Sequence, residues 1–134
     1  MPTRGPAPLH DFKITDFTIF DFKIPNQLGA SPSRYPLPEV IPYAAAKAGL
    51  VAMTQAFAHS WGTKVRVNAI LPGSFLTDIS KAWDADAFAA EADRYAMKRG
   101  GRPDEIVGAA LYLASDASSF TTGASLDVDG GYRP

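Results

Sequence analysis

A phenol and an ammonium four residues apart open a long Ala-rich apolar segment: Tyr43-Ala-Ala-Ala-Lys47, in a run that ends at Gly62. Pro42 suits a first helical position, because its missing N–H would have no intrahelical partner there. Gly62 suits the left-handed residue just past a helix end. The pattern therefore predicts one helix over 42–61. Four residues make slightly more than one turn, which puts Tyr43 and Lys47 on one face with Cβ atoms roughly 6 Å apart. A lysine beside a tyrosine favours phenolate over phenol and lowers the tyrosine pKa from its ordinary value of about 10. A phenol tuned in this way gives or takes a proton near neutral pH. The pair taken alone also fits an ordinary amphipathic helix surface, so its chemistry depends on the elements that surround it.

Those elements read as an α/β domain. Lys64 to Leu71 alternates Val65, Val67, Ala69 and Leu71 with polar residues, and Ile70 in the otherwise polar set predicts a strand whose end is buried on both faces, as in a parallel sheet covered by helices. Pro72-Gly73 stops it, and Ser74 to Asp78 is a loop. Asp84 to Lys98 carries Phe88, Ala92, Tyr95 and Ala96 at helical spacing, with Asp84 or Asp86 as cap and Gly100-Gly101 as terminator. Pro103-Asp104-Glu105 opens a further helix through Ile106, Ala110, Leu111 and Leu113, with acids where the helix dipole favours them. Ala124 to Val128 is a short last strand. Upstream, residues 1–10 hold three prolines and a glycine in a polar lead-in. Asp11 to Ile24 alternates as one or two strands, and residues 25–42 hold five prolines in an extended loop.

Composition mostly excludes. A chain of 134 residues with 46% apolar content can build one modest core, and a net charge of −1 offers no basic patch for nucleic acid or anionic lipid. The absence of cysteine rules out a disulfide scaffold and a thiolate metal site, and two well-separated histidines argue against zinc. With no apolar run of membrane-spanning length and no signal-peptide core, the default expectation is a soluble cytoplasmic protein.

From Pro42 to Tyr132 the sequence resembles the C-terminal part of the short-chain dehydrogenase/reductases, NAD(P)-dependent oxidoreductases built on a single Rossmann-like domain. The resemblance is carried by Tyr43-x-x-x-Lys47, by Val65-Arg-Val-Asn68-Ala-Ile-Leu-Pro72-Gly73 and by Thr77 four residues after that glycine. It continues through Gly101-Arg102-Pro103-Asp104-Glu105, Leu113-Ala-Ser115-Asp116, Thr122-Gly123 and Val128-Asp129-Gly130-Gly131. It implies that Tyr43 is the catalytic acid/base and that Lys47 holds the ribose hydroxyls of NAD or NADP while lowering the tyrosine pKa. Pro72, Gly73, Ser74 and Thr77 would then cover the nicotinamide at the C-terminal end of a parallel strand, the usual ligand edge of an open α/β sheet. A serine about a dozen residues before the tyrosine would bind the substrate carbonyl; Ser31 has that spacing, and Ser33 is the other option. Trp83, Phe88, Tyr95 and Met97 either line an apolar substrate pocket or pack as ordinary core, and Asp129-Gly130-Gly131 reads as structural rather than catalytic.

The family's first half is not matched. No Gly-x-x-x-Gly-x-Gly or Gly-x-Gly-x-x-Gly string follows a strand in these residues, and no Asn-Asn-Ala-Gly motif or relay asparagine is found. Residues 1–40 form an irregular segment that does not read as the family's upstream sequence. Residues 41–134 form a partial Rossmann-like domain lacking its N-terminal βαβ units, as in a truncated or frame-shifted product. Two readings follow. One is an oxidoreductase that interconverts secondary alcohols and ketones, with the isolated chain inactive. The other is a non-catalytic fragment that associates with itself or with a full-length relative through helix 42–61, whose Leu50, Val51, Met53, Phe57 and Trp61 suggest burial on more than one side.

Overall fold

The computed structural model describes residues 41–78, 80 and 84–132. Among them, three α-helices and two strands follow in the order α1 (Ile41–Trp61), β1 (Ala69–Pro72), α2 (Ala85–Ala92), α3 (Val107–Ala114) and β2 (Ser125–Val128), with short 3-10 turns on either side of α3. The candidate strands in residues 11–24, along with Ser31, Ser33 and Trp83, lie outside the described residues.

Helix α1 begins one residue before its proline and runs to Trp61, where Lys64 and Val65 both donate to the Trp61 carbonyl and turn the chain. Its buried residues are the small ones, Ala44, Thr54 and Ala58. Thr54 is buried without penalty because its hydroxyl donates to the Leu50 carbonyl one turn back, at 2.9 Å. The large apolar residues expected to be buried on more than one side are only partly covered: Met53 and Trp61 are about half exposed, and Phe57 stacks on Trp61 at 4.5 Å between ring centroids.

Strands β1 and β2 pair in parallel, with Ala69 opposite Ser125 and Pro72 opposite Val128. Ala69 and Ile70 are both 1% exposed, so this strand end is covered on both faces as its sequence suggests. The strand is shorter than the alternation from Lys64 predicts, and Asn68 supplies the reason. Its side-chain amide donates to the Thr121 carbonyl at 2.9 Å, and its side-chain oxygen accepts from the Ala124 N–H at 3.0 Å, taking the place of ladder partners. Val67 likewise donates to the Thr122 hydroxyl rather than to a strand. Arg66 reaches across to the Ser118 carbonyl and hydroxyl and ties the turn after α3 to the approach to β1.

Helix α2 is also shorter than the spacing from Asp84 to Lys98 predicts. Asp84 caps it by accepting from the Ala87 N–H at 2.8 Å, but the helix ends at Ala92. Asp93, Arg94 and Tyr95 still donate to the preceding turn, but then the backbone switches to the turn after β2: Ala96 donates to the Gly131 carbonyl and Met97 to that of Gly130. Tyr95 bridges to Tyr132, and Lys98 adopts a left-handed φ of 53°. Tertiary hydrogen bonds here outweigh helical periodicity. The Pro103 segment starts as a 3-10 turn through Ile106 before α3, with Glu105 accepting from the Arg102 N–H at 2.7 Å. Among the described residues no helix is long and apolar enough to cross a membrane.

Candidate active site

The described residues include two groups of the predicted site residues. On the first turns of α1, the Lys47 ammonium lies 5.4 Å from the centroid of the Tyr43 ring, and both side chains are half-buried. A cation this close to a phenol ring favours negative charge on that phenol, the electrostatic requirement of an acid/base tyrosine.

The second group sits where β1 ends. Gly73 donates to the Val128 carbonyl at 3.0 Å, extending the parallel pairing one residue past Pro72. It stands so close to β2 that a Cβ there would meet Asp129 Cα at 2.8 Å and Asp129 Cβ at 2.9 Å. Only glycine permits this approach. The following residues turn away from β2 and pair with Gly101, which donates to the Ser74 carbonyl at 2.9 Å and accepts from Leu76 at 2.8 Å. Thr77 is exposed at the end of this segment, and its carbonyl accepts from both the Ser80 N–H and the Ser80 hydroxyl.

Ser74 itself is buried, and its Oγ accepts a hydrogen bond from the Tyr95 hydroxyl at 2.8 Å. Tyr95 is 1% exposed and packs against Ala92 and Tyr132, with ring centroids of the two tyrosines 5.4 Å apart. Burial pushes its phenol up to about 12, against the opposing pull of its hydrogen bonds to Ser74. Tyr95 is thus packed core rather than open pocket wall. Phe88 is half-buried beside Gly100, where a Cβ would meet its ring at 2.6 Å, and Met97 is mostly exposed. A cavity of about 220 Å³ opens at the C-terminal ends of both strands, bounded by Ser74, Phe75, Met97, Arg99, Val128 and Asp129 among others.

Two contacts have no counterpart in the sequence reading. One is the Tyr95–Ser74 hydrogen bond, which spans 21 positions and has no local signal. The other is a two-pronged pair in which Arg99 Nη1 and Nη2 each donate to a Glu105 carboxylate oxygen at 2.7 Å. That pairing, reinforced by the Arg102 N–H, holds the Glu105 carboxyl down at about 2. Asp129 accepts from the Gly131 N–H at 2.9 Å, and Gly130 and Gly131 both have positive φ, so this turn has the structural role its sequence suggests.

The family model described as enoyl-(acyl carrier protein) reductase matches residues 28–133, a span that includes Ser31 and Ser33. The chain is 49% identical over 90 residues to nodulation protein G of Azospirillum brasilense, covering 66% of this chain and 37% of that protein. The chain belongs to the short-chain dehydrogenase/reductase family. It is also 42% identical over 90 residues to the L-xylulose reductase of Hypocrea jecorina, covering 67% of this chain and 31% of that one. Among solved structures it resembles an Agrobacterium tumefaciens protein assigned as a 2-deoxy-D-gluconate 3-dehydrogenase and solved with bound NADP. That likeness has a TM-score of 0.63 and 40% identity, over 66% of this chain and 37% of the other. The chain thus spans about a third of the length of the curated relatives it matches. The fold is that family's Rossmann-like α/β architecture, present here in part.

Proposed function

We propose that this chain carries the acid/base half of an NAD(P)-dependent oxidoreductase site acting on secondary alcohols and ketones. The observation that carries the reading is the Lys47 ammonium 5.4 Å from the Tyr43 ring on the first turns of α1. Helix length supports the placement. Tyr43 to Trp61 rises roughly 27 Å at 1.5 Å per residue, and an extended run back from Val65 to Pro72 covers roughly 23 Å of that distance. A chain that reverses after Trp61 therefore brings the start of α1 near the C-terminal end of β1, the edge where Rossmann-like sheets bind ligands.

In this reading Tyr43 donates a proton to the carbonyl oxygen in reduction and takes it back in oxidation. Lys47 steadies the phenolate and binds ribose hydroxyls, and Pro72, Gly73, Ser74 and Thr77 border the nicotinamide. The nicotinamide, when bound, supplies or accepts the hydride. Ser31, or Ser33, orients the substrate carbonyl. The donor set fits the nicotinamide end of a dinucleotide. It does not include the glycine turn at a helix N-terminus that holds a pyrophosphate, so the 134-residue chain alone binds cofactor weakly and shows no turnover. Several charge-assisted hydrogen bonds, each worth about 1.5–3 kcal/mol, are missing from that set.

The test is titration of the purified chain with NADH and with NADPH, followed by the fluorescence of Trp61 and Trp83, together with an alcohol-oxidation assay. Weak, non-saturating binding without turnover is expected. Saturable micromolar binding with turnover would show that the upstream residues supply a phosphate cradle.

The exposed apolar side chains favour a second reading, a chain that assembles without catalysing. Met53 and Trp61 on α1, Val107 and Leu111 on α3, and the fully exposed Phe120 are surfaces that association would cover. Native mass measurement tests the second reading, which alone requires association.

A further inference from the structure

The turn that follows β1 is held from three directions. The Gly73 N–H binds the Val128 carbonyl, Gly101 pairs with Ser74 and Leu76 through the backbone, and the Tyr95 hydroxyl reaches the Ser74 side chain at 2.8 Å. The third tie differs in kind. It comes from the segment after α2, whose own position is fixed by Ala96 and Met97 donating to the Gly131 and Gly130 carbonyls. One hydroxyl therefore connects the turn after β1, the segment after α2 and the end of β2.

We propose that Tyr95 is a positioning residue: by donating its hydroxyl to Ser74, it fixes the Ser74–Thr77 segment in the conformation that meets the nicotinamide. The assignment of that segment to the nicotinamide rests on the reading under Proposed function; the tie between Tyr95 and Ser74 does not. Both partners are buried, Tyr95 to 1% and Ser74 to 4% exposure, so water does not readily replace a lost partner. The phenol stays protonated, and remains a donor, well above any physiological pH, because burial holds its pKa near 12. Phenylalanine would keep the contacts with Ala92 and Tyr132 while removing the hydroxyl's bond to Ser74 and its hydrogen bond with the Glu91 carboxylate, so Ser74→Ala is the variant that isolates the tie to the turn.

The experiment is residue-resolved amide hydrogen exchange on the 134-residue chain, comparing the parent with Tyr95→Phe, Ser74→Ala and the double variant. The Leu76 and Thr77 amides donate to Gly101 and Phe75 and report directly on the turn. Each single variant should speed their exchange by about tenfold, the scale of one lost hydrogen bond, while Ile70 and Leu126 in the strand pair keep the parent rate. The double variant should be no faster than either single one, because both remove the same interaction. Unchanged exchange at Leu76 and Thr77, uniform acceleration that includes the strands, or additive effects in the double variant would each overturn the proposal. Titration with nicotinamide mononucleotide then separates the two layers. Amide shifts confined to residues 74–77, with at least threefold weaker binding in Tyr95→Phe, support the full proposal. If nicotinamide mononucleotide leaves those amides unmoved in the parent while the exchange pattern holds, the nicotinamide assignment fails and the tie stands.

Discussion

Replacing Gly73 with alanine should strike the site at the one place where its backbone has no room. The added Cβ would lie 2.8 Å from Asp129 Cα, 2.9 Å from Asp129 Cβ and 3.1 Å from the Asp129 carbonyl oxygen. Ordinary carbon–carbon contact begins near 3.5 Å, so β1 and β2 must separate by roughly 0.7 Å at their C-terminal ends. Because the obstruction is partly backbone, no side-chain rotation relieves it. The Gly73 hydrogen bond to Val128, now 3.0 Å, must lengthen with the strands. Overpacking of this kind costs about 1–3 kcal/mol, and alanine returns about 0.4–1 kcal/mol by restricting the unfolded chain. The net loss of about 1–2 kcal/mol corresponds to a fall in Tm of about 3–8 °C for a domain of this size. The control is Gly49→Ala in the middle of α1, where an added Cβ meets no described atom within 4 Å. There the same substitution should raise stability by about 0.5–1 kcal/mol. Thermal unfolding followed by circular dichroism measures both. A Gly73→Ala Tm equal to or above the parent's would refute the close approach of β1 and β2 on which the site description depends.

Acid should loosen the segment before α3. The Glu105 carboxyl, held at about 2 first by Arg99 and then by the Arg102 N–H, lies below the ordinary 4.5, so its contribution is complete above pH 4.5 and disappears as pH falls toward 2. Glu105→Gln should lower Tm at neutral pH and flatten its decline between pH 4.5 and 2; parallel curves for parent and variant would count against the pair. Lys47→Met, examined in a chain joined to a relative's glycine-rich half, should weaken nucleotide binding and move the pH limb that reports the tyrosine upward, because the charge favouring phenolate is gone. An unchanged limb with unchanged affinity would return Tyr43 and Lys47 to the surface of an amphipathic helix.

Much of this was legible from local chemistry. The start of α1 follows from Pro42 and its end falls at Trp61 as expected, although Gly62 does not take the left-handed φ expected of it; the α2 cap follows from Asp84, and the two-sided burial of Ile70 from its position in the alternation. The ends of β1 and α2 were not legible, because both are set by long-range hydrogen bonds. Asn68 spends its side chain on Thr121 and Ala124, and the backbone at Ala96 and Met97 bonds to the turn after β2. Tyr95 shows the same limit at the site. Helical spacing marks it as apolar, and nothing in its neighbourhood of sequence points to Ser74. The large apolar residues of α1 illustrate the converse, since composition alone suggests more cover than these residues give one another.

The central claim is that the Tyr43 hydroxyl carries the proton in a hydride-transfer reaction. It is tested by placing residues 41–134 behind the N-terminal part of the Hypocrea jecorina L-xylulose reductase and measuring reduction of L-xylulose with NADH and with NADPH, with and without Tyr43→Phe. The substitution keeps the ring and its place beside Lys47 and removes only the transferable proton. A fall in kcat of about 100-fold or more, with unchanged Tm, is the expected result for loss of a general acid/base; turnover within about threefold of the parent would contradict it.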